Sequence, residues 1–80
     1  VSRARDVVEV IARALAARPG DVLVTEHDRR GQTVIELTMA PGELGRVIGR
    51  QGRTAAAVRT LAAAAGELDG QKVSVDFQDE

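Results

Sequence analysis

The stretch that decides the reading is Val47-Ile48-Gly49-Arg50-Gln51-Gly52-Arg53-Thr54. Two glycines enclose two polar residues between two apolar-periodic segments, so the chain turns sharply and a helix restarts. A restarting helix leaves its first N–H groups without intrahelical acceptors. Those groups, with the positive end of the helix dipole, suit an anion. Arg46, Arg50, Arg53 and Arg59 crowd the same stretch. Tight loop, outward amides and positive charge together describe a seat for a phosphate backbone.

Working outward, the pattern before the loop gives one helix and a hairpin. Ser2 suits an N-cap, with Asp6 and Glu9 in the early turns and Arg13 and Arg18 in the last. Val7, Val8, Ile11, Ala14 and Leu15 share a face by their spacing, and Pro19-Gly20 ends the helix. Val22 and Val24 alternate with Leu23 and Thr25 in a first strand. Asp28-Arg29-Arg30-Gly31 reads as a hairpin turn with Gly at positive φ. The second strand runs from Thr33 to Met39, with Ile35, Leu37 and Met39 on one face.

Pro41 suits the first position of a short helix whose apolar edge is Leu44, Val47 and Ile48, stopping at Gly49. A longer helix is expected from Arg53 to about Ala65, burying Ala55, Val58, Leu61, Ala62 and Ala65, with Gly66 as its C′ residue. Asp69-Gly70 is a turn, and Val73, Val75 and Phe77 alternate in a last strand. The order is α-β-β-α-α-β. A helix pair between strands two and three implies that they lie parallel through a right-handed crossover. The expected fold is α+β: a three-stranded mixed sheet with three helices on one face.

Composition narrows the function. Eighty residues make one domain, 1–80, and the 44% hydrophobic share is that of a globular protein. There is no cysteine, which removes disulfides and thiolate metal sites. No apolar run approaches the roughly 20 residues that span a bilayer. The chain begins with Val1 rather than Met, so a few leading residues are expected to have been trimmed. The net charge is −1, but Leu44 to Gly66 holds four arginines and no acid, while the rest holds seven basic residues and twelve acids. The positive segment coincides with the glycine loop, so distribution favours a nucleic-acid partner where net charge does not.

Three glycine-loop chemistries compete. A dinucleotide fingerprint needs glycine in place of Val47 and a strand directly before the loop. A Walker loop also needs glycine at Val47, and Arg53-Thr54 only mimics its end. Helix, G-x-x-G, helix fits without adjustment; it clamps the sugar-phosphate backbone of a single strand. The segment from Gly45 to Thr54, with the Ala-rich helix and Arg59-Thr60 after it, resembles the core of a KH domain. The element order is that of the bacterial type II form. In length, the chain resembles the small stand-alone bacterial KH-domain proteins of the KhpA (YlqC) family.

That resemblance implies RNA-binding residues Gly49, Arg50, Gln51 and Gly52, with Arg46 and Arg53 supplying charge and Val47 and Ile48 forming the apolar pair before the loop. It places Ile48 in the packing and Val47 at the border of the groove. Ala56 and Ala57 stand where relatives often carry lysine, and Thr54 where many carry isoleucine. The resemblance further implies a cytoplasmic RNA chaperone or post-transcriptional regulator. It implies a KH/R3H partner of the KhpB (Jag/EloR) kind, with homodimerisation as an option. It links the pair to cell elongation, division and peptidoglycan homeostasis. No cofactor and no enzymatic activity are expected.

Rival readings are an enzyme, an adapter and a DNA binder. His27 beside a charged turn reads as solvated surface, and Ser2 and Ser74 have no positioned base. Asp76, Asp79 and Glu80 read as an acidic tail rather than a metal cluster. An adapter would use the same loop as a dimer contact, whereas charge at Arg50 suits phosphate better. DNA remains an alternative strand, because the clamp grips backbone.

Overall fold

The structure is a computed structural model that describes residues 2–79. Helix α1 (Arg3–Leu15) begins where expected: Ser2 Oγ accepts the Arg5 N–H at 3.1 Å. It ends at Leu15, one turn before Arg18, and a 3₁₀ turn over Pro19–Asp21 leads to the sheet. Strands β1 (Leu23–Arg29) and β2 (Gln32–Met39) pair antiparallel, with Arg29 opposite Gln32. The hairpin loop is therefore only Arg30-Gly31, and both residues have positive φ, +52° and +80°. That is the backbone twist a two-residue hairpin needs.

After β2, Pro41 does not open a helix. Glu43 N–H bonds Ala40 C=O at 3.0 Å and Gly42 has φ +82°, giving a type II turn with Pro and Gly at its two central places. Helix α2 (Leu44–Ile48) follows, then the Gly49–Gly52 loop and α3 (Arg53–Leu68). Strand β3 (Lys72–Asp79) pairs parallel to β2, giving sheet order β1-β2-β3. The fold is thus α+β, with a mixed sheet and three helices on one face.

The core lies between that face and the helices. Ile35, Leu37, Met39, Val8 and Val47 are its largest fully buried side chains. Helix α1 buries Ala4, Val8 and Ala12, with Val7 and Ile11 packed at the edge, whereas Ala14 and Leu15 are exposed. The face is rotated from the expected one because alanines sit deepest, which lets α1 and α3 approach closely. Leu61 also departs from expectation. It is 53% exposed, and α3 buries Ala55, Val58, Ala62, Ala65 and Gly66 instead.

Gly66 is not a C′ residue. It is buried inside α3, where an added Cβ would run into Val73 and approach Gln71 O at 3.1 Å. The glycine lets the last turns of α3 press on the start of β3. Gly66→Ala should therefore lower stability by about 1–3 kcal/mol in urea unfolding, against the gain alanine normally brings to a helix. An unchanged or raised midpoint would deny the close contact.

Two surface carboxylates are held by neighbouring side chains, Glu9 within α1 and Glu36 across the sheet. Glu9 is held below the usual carboxylate range, first by the hydrogen bond from Arg5 at 2.7 Å and then by Arg13 at 3.1 Å. Glu36 is lowered by His27, 2.9 Å away across the β1–β2 pair. A carboxylate lowered on folding stabilises the fold above its unfolded pKa and stops doing so as pH falls through the native value. The thermal midpoint should therefore hold at neutral pH and decline as pH drops below about the ordinary value of 4.5. In Glu9→Gln and Glu36→Gln proteins that acid-side decline should be shallower.

Candidate nucleic-acid interface

The site is built by the α2–α3 junction. Gly49 has φ +76° and ψ 177°, a conformation open essentially to glycine alone. An added Cβ there would also strike the Thr54 side chain. Gln51 (φ +57°) and Gly52 (φ +72°) follow in left-handed geometry, which reverses the chain within four residues. A side chain at Gln51 makes that conformation cost on the order of 1–2 kcal/mol.

The loop satisfies several of its own amides. Gly49 N–H donates to Gly45 C=O at 2.9 Å and Gly52 N–H to Gly49 C=O at 3.2 Å. Arg53 N–H donates to Arg50 C=O. A phosphate therefore cannot draw on the whole run from Gly49 to Arg53. What remains is the N–H groups of Arg50 and Gln51 and the first turn of α3 beyond Arg53; the N-cap of that helix is Gly52, and no side chain caps it. A glycine cap leaves that turn accessible, with the positive end of a 16-residue helix behind it.

Charge surrounds this end. Arg50 and Arg53 are exposed and form no ion pair among the described residues. Arg53 Nη2 donates to Gln51 Oε1 at 3.0 Å, which lays its guanidinium along the loop tip. Arg46 is exposed but lies 3.7 Å from Glu43, so part of its charge is spent internally. Arg59 is turned away from the site. It sits 4.8 Å over the Phe77 ring, and its Nε donates to Val75 C=O at 3.4 Å, pinning α3 to β3.

The apolar pair is placed the other way round from expectation. Val47 is fully buried in the core, while Ile48 is half-buried at the loop's edge. Of that pair, Ile48 is the one that offers apolar surface beside the loop. Sequence reasoning also missed Glu43. Its buried carboxylate accepts the N–H groups of Ala17 at 2.5 Å and Arg18 at 3.2 Å. It therefore clips the end of α1 to the start of α2 and sets where the loop stands. The only hint was an acid immediately before an apolar helix.

Among the described residues no group of three His, Asp or Glu side chains is placed to hold a metal. The Asp79 side chain and Glu80 lie outside what the structure describes. No helix is long and apolar enough to cross a membrane among the described residues.

A family model described as "KhpA/KhpB, KH domain" matches residues 5–77. The chain belongs to that KH-domain family. It is 44% identical over 75 residues to RNA-binding protein KhpA of Halalkalibacterium halodurans, covering 94% of this chain and 99% of that protein. To RNA-binding protein KhpA of Aquifex aeolicus it is 42% identical over 77 residues, covering 96% and 98%. The family is non-enzymatic. Among solved structures, Aquifex aeolicus Era bound to GDP.AlF4- shares the fold, with TM-score 0.64 at 20% identity. That match spans 95% of this chain and 29% of Era. A structure of Era with MgGDPNP and a fragment of 16S ribosomal RNA aligns equally, at TM-score 0.64.

The glycine at the head of the KH loop is open to a direct test. Gly49→Ala should cost about 2–4 kcal/mol, from left-handed strain and overlap with Thr54. Gly45→Ala is the control, since nothing lies near its position in α2 and alanine favours helix. Equal midpoints for the two variants in chemical unfolding would refute the account of the loop.

Proposed function

We propose that this protein binds single-stranded RNA, seating about four nucleotides of its backbone on the Gly49–Gly52 loop. One observation carries the reading: α3 starts without a side-chain cap behind a glycine turn, flanked by Arg50 and Arg53 with no acidic partner among the described residues. The curated relatives named as RNA-binding proteins support it.

A phosphate lies at the first turn of α3, where Gly52 puts no atoms in the way. Arg50 and Arg53 add screened charge, and Arg46 contributes what Glu43 leaves it. Bases rest against Ile48 rather than Val47. The one aromatic residue, Phe77, is occupied by Arg59, so no stacking platform exists and binding tolerates sequence. With two or three phosphates engaged, log K should fall against log salt with a slope of about −1.4 to −2.

The whole chain then acts as one KH domain in the cytoplasm, as an RNA chaperone or post-transcriptional regulator. Its partner is a KH/R3H protein of the KhpB (Jag/EloR) kind, in cell elongation, division and peptidoglycan homeostasis. We infer that association, including a homodimer, uses a surface away from the loop, where Leu61 and Leu68 stand 53% and 73% exposed on one face of α3, two turns apart.

Fluorescence anisotropy of a labelled single-stranded RNA at two salt concentrations tests the clamp. The wild type should bind with that shallow salt slope, and folded Arg50→Asp/Gln51→Asp should lose at least tenfold in affinity. Equal binding by the two proteins, or none by either, sinks the proposal.

A further inference from the structure

A second group of unpaired cations stands at the opposite end of the domain. The loop lies beyond the Met39 end of β2. From there α3 runs back for 16 residues, about 24 Å at 1.5 Å per residue, to the end where β3 starts. At that end Arg29 pairs in register with Gln32, and Gln32 with Lys72. Strand alternation puts all three on the sheet face that no helix covers, the face of His27 and Ser74. Arg30 is the adjoining hairpin residue. Arg29, Arg30 and Lys72 are exposed and form no ion pair among the described residues.

The acids near this end are turned elsewhere. Glu26 lies on the helix side and accepts from Ser2 Oγ at 2.7 Å. Asp69 takes Arg3 at 3.3 Å. Asp28, next to Arg29, falls on the helix side by alternation. The patch is therefore cationic on the open face, with the side-chain amide of Gln32 and the Ser74 hydroxyl beside it as hydrogen-bonding groups.

The backbone marks the same place. Among the described residues, two that are not glycine have positive φ: Gln51 in the clamp loop and Arg30 in the hairpin. Asparagine or glycine suits the Arg30 position of such a hairpin better than arginine. An arginine held there at a conformational cost places a charge at the tip. Strain of this kind collects where a side chain has a task.

We propose that the hairpin end, through Arg29, Arg30 and Lys72, is a second backbone contact for single-stranded RNA, distinct from the Gly49–Gly52 clamp. The inference rests on the RNA-binding reading above. The four nucleotides in the clamp leave none for the hairpin, so only a longer strand reaches both ends. Glu36 and exposed Asp76 stand on the open face between them, so the intervening RNA loops clear of the sheet. Two weak sites on one strand then reinforce each other through effective concentration.

The test compares Arg29→Gln/Arg30→Asn/Lys72→Gln with wild type on a four-nucleotide and a roughly 20-nucleotide single-stranded RNA. Arg30→Asn creates the favoured Asn-Gly turn, so the fold should hold or gain stability. If the triple variant misfolds, Arg30→Asn alone carries the comparison. We expect unchanged affinity for the short strand. The long strand should lose on the order of tenfold at 0.1 M salt, with a salt slope shallower by about 0.7 per phosphate released. Unchanged affinity for the long strand overturns the proposal, as does an equal loss on both strands. The Arg50→Asp/Gln51→Asp protein on the short strand reports separately on the clamp. If that variant binds like wild type, the RNA-binding reading itself has failed.

Discussion

Strands β2 and β3 lie side by side and parallel, and no tight turn can join parallel neighbours. Everything between Ala40 and Gln71 exists to carry the chain from one end of the sheet back to the other. That return must bury an apolar face, which α2 and α3 supply through Val47, Val58, Ala62 and Ala65. It must also reverse direction once. The reversal is the Gly49–Gly52 loop, and α3 starts immediately after it. The loop's position at one end of the domain, and the direction of the helix dipole behind it, both follow from the parallel pair.

The reversal is bought with local strain and with glycine. Gly49 occupies a conformation that other residues avoid, against Thr54, and Gln51 sits left-handed beside it. Behind this, Glu43 anchors α2 to the end of α1, so the strained turn stands on a fixed base. The acidic composition of the rest of the chain does not conflict with an anionic ligand. At the loop the nearest buried acid, Glu43, is engaged with backbone amides and Arg46, and Arg50 and Arg53 are left to the solvent side.

Most of the architecture was legible in the sequence because it rests on periodicity. The alternation of Ile35, Leu37 and Met39 and the hairpin glycine each have one physical reading, and the flanking helical patterns decide among the glycine-loop readings of Gly49 to Gly52. What was not legible depended on tertiary approach. In a five-residue helix successive side chains differ by about 100°, so spacing alone could not decide which of Val47 and Ile48 faces the core. Leu61 was expected inside on hydrophobicity. Instead α3 turns the face of Ala55, Val58, Ala62 and Ala65 inward and Leu61 lies off it. Gly66 and Arg59 escaped for the same reason: the demand on each comes from β3, through Val73 in one case and Phe77 in the other. Pro41 was misread because a type II turn and a helix start share the same preference for proline.

The most direct test of the central claim is a two-dimensional ¹H–¹⁵N NMR titration of the folded protein with a four-nucleotide single-stranded RNA. The account predicts the largest amide shifts at Gly49 to Ala55 and Ile48, with Leu61, Leu68 and the buried strand β2 nearly still. Shifts centred on the Leu61–Leu68 face of α3, with the loop signals unmoved, would contradict it.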